Sequence, residues 1–387
     1  MGKPNVNPYK KHNSFVELRH KHSETDAEAH RRLEAVRDRQ DLISQLSKAH
    51  QAILTKAYLD LSESSPGDET LRFRLSPNVA EEINSLPPEA LPRYLVHRYR
   101  YEVYPALHIA DEYPPYLQIE PSSMCNYRCV FCFETDKFFT KRSNGFMGHM
   151  RIDTFKQVID QAEGHVEFLS IASRGEPLLC PEIELMLAYT RGKFLNLKLN
   201  TNASLLDENK CHAILQSGVK TLVFSADAAE EPLYSQLRVG GKLATVLANV
   251  KRFQKIRATQ YPDSQIITRV SGVKLNNQQN LDSMQKLWGN LVDQVAFVNY
   301  NPWENTYQRP INDITTPCSD LWRRMFVWWD GKVNPCDVDY KSTLSVGSLL
   351  NTSLSQLWTG TGYSGLRDMH LKKSRGQPEP CRRCTVI

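Results

Sequence analysis

Three closely spaced cysteines carry the clearest chemical signal in the chain. Cys125, Cys129 and Cys132 are separated by three and then by two residues. Three thiolates on one short loop can each bind one iron of a cubane and leave the fourth iron without a protein ligand. Zinc is the competing metal, but structural zinc usually takes four ligands, and no fourth cysteine or close histidine follows this run. The spacing therefore favours an iron–sulfur cluster with an open iron.

A second group of cysteines lies near the C-terminal end of the sequence: Cys318, Cys336, Cys381 and Cys384. Four thiolates, two of them in a Cys-x2-Cys pair, suit either a tetrahedral metal or a fully ligated [4Fe–4S] cluster, and the pattern leaves both open. An Asp-Gly pair within residues 330–332 is a strong tight-turn signal. A hairpin at this turn would bring Cys318 and Cys336 together.

The composition is that of an ordinary globular protein. Hydrophobic residues make up 41% and charged residues 24% of the 387 residues, which argues against disordered, collagen-like and coiled-coil classes. The first residues lack the apolar core of a secretory signal, so we predict a cytoplasmic protein whose clustered cysteines are metal ligands and not disulfides. Cys180 and Cys211 stand alone, as is typical of small buried hydrophobes.

Neither a membrane nor a nucleic acid is predicted as a partner. No apolar stretch approaches the roughly 18 residues that a membrane helix needs. The net charge of +5 is mild for this length, and the basic residues are scattered among acidic ones.

Short apolar runs alternate with helical stretches from about residue 115 onward. This alternation is typical of strand–helix units around a parallel sheet, and six units predict an α/β fold with a partial (β/α)6 TIM-like barrel. Parallel barrels place their chemistry on the loops after the strand C-termini. The predicted strands are Tyr116–Glu120, Val166–Ile171, Leu195–Asn200, Thr221–Ser225, Ile266–Val270 and Gln294–Val298.

The N-terminal part follows a different pattern. Its first 20 residues are polar and basic, and from Ser23 to Leu61 the apolar residues recur at helical spacing. This spacing predicts one long helix with capping oxygens on Ser23, Thr25 and Asp26. A linker and further helices interrupted by prolines follow. The chain is thus predicted to comprise a helical extension over residues 1–110, the barrel over 111–301 and a small cysteine-stabilised domain over 302–387.

At Cys125, Cys129 and Cys132 the sequence resembles the radical S-adenosylmethionine superfamily, which carries this spacing in the loop after the first barrel strand. The resemblance implies that the amino and carboxylate groups of S-adenosylmethionine bind the open iron of a [4Fe–4S] cluster. It also implies that reduction of the cluster cleaves S-adenosylmethionine to methionine and a 5′-deoxyadenosyl radical. The cofactor carries this chemistry, while the protein orients it.

The segment from Ser173 to Pro177 resembles the Gly-Gly-Glu-Pro element of this family. Gly175, Glu176 and Pro177 match the element, whereas Arg174 stands where the first glycine is usual. The resemblance implies that Glu176 accepts hydrogen bonds from the methionine ammonium group, a charge-assisted contact.

Five other positions are similar to cofactor contacts of the family. The resemblance implies that Asn202 lies near the cofactor and that Ser225 hydrogen-bonds its ribose or carboxylate. Arg238 would pair with the methionine carboxylate, as guanidinium groups do, and Phe131 would cover the adenine. For Asn202 and Asp227 a turn-forming role is the alternative, and for Phe131 the alternative is core packing.

The order of the four C-terminal cysteines resembles the SPASM extension, in its short form called twitch. This resemblance implies one auxiliary [4Fe–4S] cluster with all four ligands from the protein. Full ligation argues against direct substrate binding and favours electron transfer.

The leading functional hypothesis is a radical S-adenosylmethionine oxidoreductase that dehydrogenates a polar small molecule such as a sugar or cyclitol, with flavodoxin or ferredoxin as reductant. A general base near the barrel mouth would assist the oxidation, and Tyr300, Glu304 and Arg269 are candidates. One alternative is radical modification of a ribosomal peptide or protein. Another is a noncatalytic iron–sulfur electron carrier or a zinc-stabilised binding protein.

Overall fold

The computed structural model describes residues 8–11, 15–20, 26–62 and 71–387. The strands in this part of the chain are β1 (Phe15–His20), β2 (Tyr116–Ile119), β3 (Arg128–Cys129), β4 (Phe168–Ile171), β5 (Asn196–Thr201), β6 (Val219–Ser225), β7 (Arg238–Val239), β8 (Ile267–Lys274), β9 (Gln294–Asn299), β10 (Arg324–Val327), β11 (Lys332–Asn334) and β12 (Gly347–Ser348).

The α-helices are α1 (Asp26–Val36), α2 (Gln40–Ile43), α3 (Lys48–Leu61), α4 (Pro77–Ser85), α5 (Leu91–Glu102), α6 (Ile152–Ala162), α7 (Ile183–Tyr189), α8 (Glu208–Gln216), α9 (Glu231–Leu237), α10 (Leu243–Gln260), α11 (Leu281–Trp288), α12 (Leu354–Thr359) and α13 (Thr361–Leu371). None of these described helices is both long and apolar enough to cross a membrane.

Six parallel strands form the centre of the sheet, in the order β2-β4-β5-β6-β8-β9. Helices α6, α7, α8, α10 and α11 connect successive strands, so all six strand C-termini meet at one end. This arrangement confirms the predicted partial (β/α)6 barrel. All six predicted strands are present, with boundaries that differ by at most four residues, the largest difference being at the C-terminal end of β8.

Two additional strands flank the parallel set. Strand β1 pairs antiparallel with β9, and β10 pairs parallel with β2 at the other edge. The strand β1 is absent from our sequence-based expectation, which treated the first residues only as a polar extension. It forms because pairing with an edge strand supplies the hydrogen bonds, which local composition does not reveal. The expected hairpin is confirmed: β10 pairs with β11, and Gly331 adopts a left-handed φ of 78° at the turn.

The prediction of one long N-terminal helix is wrong, because α1, α2 and α3 are separate helices. The Ser47 side chain accepts a hydrogen bond from the His50 amide and so starts α3 anew, as N-capping serines do. Two of the expected caps, Ser23 and Thr25, lie outside the described residues, as does most of the expected linker over 62–68. Apolar side chains of α1, α3, α4 and α5 form a separate core that also includes Phe168 at the start of β4. The proposed division into three domains stays a prediction.

A buried ion pair joins the first two strands of the barrel to the C-terminal region. Arg174 is the third residue after β4, and Glu120 directly follows β2. Arg174 donates from Nε and Nη2 to the two carboxylate oxygens of Glu120 at 2.7 and 2.6 Å. Its Nη1 donates to the Tyr340 carbonyl at 2.8 Å, and its guanidinium lies 4.2 Å from the Trp328 ring centroid. The exposed fractions of Glu120 and Arg174 are 0% and 3%. Arg174 thus fills a structural role at the position where the family usually has glycine.

Replacing Arg174 with methionine should leave a buried, unpaired carboxylate. We expect the free energy of unfolding to fall by about 3–5 kcal/mol, the usual cost of breaking a buried pair. The double variant Glu120→Gln/Arg174→Met should recover much of this loss, because no charge then remains buried. The measurement is urea denaturation followed by tryptophan fluorescence.

The matched control is Arg31→Met, which breaks an exposed ion pair with Glu28 on α1. Exposed pairs contribute only about 0–1 kcal/mol. If Arg174→Met were no more destabilising than Arg31→Met, the structural role given to the buried pair would be wrong.

Candidate iron–sulfur and cofactor site

The three cysteines of the first group line one cavity of about 330 Å³ at the C-terminal ends of the barrel strands. Strand β3, which contains Cys129, pairs with β7 and so fixes the loop against Arg238. Burial raises the pKa of all three thiols, to about 12 for Cys125. Buried thiolates at these positions therefore need a cationic partner, and iron supplies that charge. The donor set thus fits an iron–sulfur cluster.

Gly175 allows the second loop to approach the cysteine loop. A Cβ atom on Gly175 would lie 2.4 Å from the Met124 carbonyl oxygen and 2.5 Å from that of Ser122. The next residue, Glu176, donates its backbone N–H to the same Met124 carbonyl at 2.9 Å. Only glycine fits this contact, which sets the position of the chain directly before Cys125.

The Glu176 carboxylate is fixed at the cavity wall by three hydrogen bonds. One oxygen accepts from the Thr201 hydroxyl at 2.6 Å and from the Leu178 amide at 3.1 Å, and the other accepts from the Asn202 amide at 2.7 Å. A carboxylate has about four acceptor positions, so one remains for a ligand. Burial raises the pKa of Glu176 despite these donors. A cationic ligand such as an ammonium group would compensate for that burial.

Arg238 and Asp227 form a buried ion pair beside the cluster loop. Arg238 lines the cavity, with Nη1 3.9 Å from the Cys129 sulfur and its guanidinium 5.7 Å from the Phe131 ring centroid. Asp227 does not line the cavity: its other oxygen accepts from the Val273 amide at 2.6 Å. The structure therefore gives Asp227 a positioning contact, while Arg238 and Phe131 line the cavity.

The remaining predicted contacts differ in their placement. Ser225 and Asn202 line the cavity. The Asn202 side chain also accepts from the Ser204 amide at 2.9 Å, which is the turn-forming contact named as the alternative. Pro177 begins a 3-10 helix beside the cavity and does not line it.

Several polar atoms at the cavity wall have no hydrogen-bond partner within the described residues. They belong to Ser173, Asn200, Asn301 and Trp303. A polar ligand in the cavity would satisfy such groups, whereas leaving them buried and unpaired is costly. The cavity thus fits a polar cofactor and substrate.

Glu134 is a cavity residue that the sequence analysis missed. Its carboxylate is 2% exposed and lies 3.3 Å from the Arg128 guanidinium. Burial raises its pKa to about 8. The sequence could have identified Glu134 by its position, two residues after Cys132 on the same loop.

The candidates for a general base are not brought together at the cavity. Tyr300 donates a hydrogen bond to Glu304, and neither residue lines the cavity. Arg269 lines a second cavity below the first.

The four C-terminal cysteines surround a pocket of about 20 Å³. This space is too small for a substrate, and burial raises the pKa of all four thiols. No three histidine, cysteine, aspartate or glutamate side chains in the described ranges form a group that could hold a metal ion. In a cubane each thiolate binds a different iron, so the ligands need not converge on one ion.

Two family models match the chain. That of the radical SAM superfamily matches residues 119–266, and that of the SPASM iron–sulfur cluster-binding domain matches residues 318–385. The chain therefore belongs to the radical SAM superfamily and carries a C-terminal SPASM domain. The matches confirm the predicted family and the predicted enzyme class, a radical S-adenosylmethionine oxidoreductase. They also confirm the predicted cofactors, which are a [4Fe–4S] cluster that binds S-adenosylmethionine and an auxiliary iron–sulfur site.

Individual relatives are distant. The tungsten-containing aldehyde ferredoxin oxidoreductase cofactor-modifying protein of Pyrococcus furiosus is 24% identical over 305 residues, which are 65% of this chain and 83% of that protein. The S-adenosyl-L-methionine-dependent 2-deoxy-scyllo-inosamine dehydrogenase of Niallia circulans is 19% identical over 276 residues, covering 70% of this chain and 92% of that protein. The solved structure of Streptococcus suis SuiB bound to precursor peptide SuiA superposes with a TM-score of 0.50 at 16% identity, covering 82% of this chain and 78% of that one. This likeness shows the fold alone.

Replacing Gly175 with alanine should displace the cysteine loop, because the new Cβ would overlap the Met124 carbonyl. We expect reduced iron content and at least tenfold weaker binding of S-adenosylmethionine, together with an overpacking cost of about 1–3 kcal/mol. Iron analysis and equilibrium dialysis measure both effects. The control is Gly365→Ala on α13, where a Cβ meets no atom within 4 Å. Wild-type iron content and affinity in Gly175→Ala would contradict this role.

Replacing Cys125, Cys129 and Cys132 together with alanine tests the ligand assignment. After anaerobic reconstitution, two cubanes would give about eight irons per chain in the wild type and about four in the variant. Iron and acid-labile sulfide analysis measures the difference. The control is Cys180→Ala, a buried cysteine outside both groups. About four irons plus bound zinc in the wild type, falling to no iron in the variant, would instead make the C-terminal site a zinc site.

Proposed function

We propose that this enzyme is a dehydrogenase that removes two electrons from a polar small molecule such as a sugar or a cyclitol. When bound, the reduced [4Fe–4S] cluster and S-adenosylmethionine supply a 5′-deoxyadenosyl radical that takes one hydrogen atom from a substrate C–H bond. The auxiliary site, when its cluster is bound, would accept one electron from the substrate radical. Loss of the hydroxyl proton to solvent would then leave a carbonyl. A reductant such as flavodoxin or ferredoxin supplies the electron that starts the cycle.

The observation that carries this proposal is the contact between the cavity and the C-terminal cysteines. Tyr9 and Trp303 line the barrel cavity and also pack against a small buried group of Val338, Cys384 and Val386. Cys318 and Cys336 pack against the same group. These two aromatic side chains provide a short protein path from substrate to auxiliary site. Since the pocket between the cysteines is too small for a substrate, electron acceptance is the role that suits it.

The residues at the cavity wall would orient the cofactor. Glu176 offers one acceptor position to the ammonium group of S-adenosylmethionine, and Gly175 keeps this carboxylate close to the cysteine loop. Arg238 and Phe131 would contact the carboxylate and the adenine. None of the nine cysteines, all of which lie in the described ranges, forms a disulfide, which suits a reducing compartment such as the cytoplasm. The Niallia circulans relative, a dehydrogenase by name, supports the same reaction type.

The test is anaerobic incubation of the reconstituted enzyme with S-adenosylmethionine, dithionite and a panel of polyols, aminocyclitols and sugars. We expect 5′-deoxyadenosine together with a product two mass units lighter than its substrate, detected by mass spectrometry. In Cys318→Ala the yield of oxidised product should fall at least tenfold relative to the wild type. The yield of 5′-deoxyadenosine should fall by a smaller factor. The control is Cys211→Ala, which removes a buried cysteine outside both groups.

Other outcomes would favour the alternatives. A cross-linked or otherwise modified product from a peptide panel, with no small molecule oxidised, would favour peptide modification. Complete absence of 5′-deoxyadenosine from the reconstituted protein would favour an electron carrier.

A further inference from the structure

A second cavity of about 390 Å³ lies in the barrel interior below the first and shares Ser173, Asn200 and Trp303 with it. Its walls include inward-facing side chains of the barrel strands, such as Lys198 of β5 and Arg269 of β8. The cavity that fits the cofactor therefore continues into a space that the cofactor contacts leave unexplained. Its volume falls in the range of small-molecule sites.

Two cations on this wall have no carboxylate partner among the described residues. Arg269 donates from Nε to the Gln294 amide oxygen and from Nη2 to that of Asn78 at 3.4 Å, and both acceptors are neutral. Burial lowers its pKa, although Glu82 and Glu81 oppose this effect. No carboxylate lies within 4 Å of the Lys198 ammonium group in the described part of the chain. Partly buried cations of this kind are unfavourable unless a ligand pairs with them.

The carboxylates near the cavity are already engaged. Glu82 accepts from the Tyr94 hydroxyl and lies 3.9 Å from Arg98. Asp337, the other carboxylate on the cavity wall, lies 2.5 Å from Lys11. Asp320 lies within 4 Å of three cations, Lys11, Arg323 and Arg324. Neither aspartate therefore adds surplus negative charge to the cavity.

Tyr116, on the wall of the same cavity, lies beside the same positive charges. Burial alone would raise the pKa of this phenol, but the charges of Lys198 and Arg324 and hydrogen bonds with Ser170 and Lys198 together lower it. The Tyr116 ring lies 5.9 Å from the Lys198 nitrogen and 5.2 Å from the Arg324 guanidinium carbon. An anionic group in this cavity would experience the same stabilisation.

We infer that the substrate carries an anionic group, a carboxylate or a phosphate, which binds against Lys198 and Arg269 in the barrel interior. This inference rests on the proposed function and adds a substrate class to it. A guanidinium and an ammonium group together suit such an oxyanion, the first through its planar fork and the second as a point charge. A neutral polyol would leave both cations unpaired. The anion would anchor the substrate in the lower cavity and leave its reacting C–H bond in the upper one.

The test is isothermal titration of the reconstituted enzyme, saturated with S-adenosylmethionine, with inorganic phosphate and separately with succinate. Saturation keeps the anions away from the site of the methionine carboxylate. We expect one anion per chain, and at least tenfold weaker binding in Lys198→Gln and in Arg269→Gln. The controls are Lys251→Gln and Arg151→Gln, which remove the same charges from exposed positions outside the cavity. These controls should bind the anion like the wild type.

Binding of phosphate alone would assign a phosphorylated substrate, and binding of succinate alone would assign a carboxylic acid. Binding of neither anion, or equal binding by all variants with correct iron content, would overturn the inference. Formation of 5′-deoxyadenosine by the wild type is measured in parallel. Anion binding without any 5′-deoxyadenosine would contradict the proposed function and leave the anion site in place. Formation of 5′-deoxyadenosine without anion binding would contradict the anion site and leave the proposed function in place.

Discussion

The buried ion pair between Glu120 and Arg174 is the constraint on which the catalytic end of the barrel depends. Both residues lie in loops that follow barrel strands, and Arg174 also donates to the Tyr340 carbonyl in the C-terminal region. A buried pair of this kind stabilises a fold only when its geometry is good and its remaining donors are satisfied. Here the guanidinium uses three of its nitrogens, and an aromatic face covers it. The loop that follows is thereby fixed, and Gly175 and Glu176 meet the cysteine loop from a rigid base.

This ion pair also shows a limit of what can be predicted from the sequence. The spacing of Cys125, Cys129 and Cys132 predicts a cluster because the ligands lie within eight residues of one another. The role of Arg174 could not be predicted in the same way, since its partner Glu120 is 54 residues away. A motif records which residue is usual at a position, whereas a long-range partner decides whether another residue can replace it. The reason for the departure from the glycine pattern therefore became clear only from the folded structure.

The other correct predictions from the sequence rest on local patterns, whereas the features that were missed depend on tertiary contacts. Apolar runs identify the six barrel strands because each strand buries its outward face against helices. Strand β1 was missed because its hydrogen bonds come from β9, and the division of the first helix was missed because Ser47 caps α3 within a continuous apolar period. The contact of Tyr9 with both the cavity and the C-terminal cysteines joins the two ends of the chain. No local pattern carries information of that kind.

One feature of the barrel interior, its polar side chains, can be recognised in the sequence. Strands of parallel sheets that are buried on both faces usually read as continuous apolar runs, and barrel interiors are usually filled by branched apolar side chains. Strand β5 alternates instead: Leu197 and Leu199 are buried in the core against the helices, while Lys198 and Asn200 face the cavity. In this strand the outward face supplies the hydrophobic stabilisation, so the inward face is free to carry polar and charged groups. Alternation in a strand predicted to be parallel therefore indicates a barrel with an open, polar interior, and the residues that break the apolar run are the ones to examine for substrate contacts.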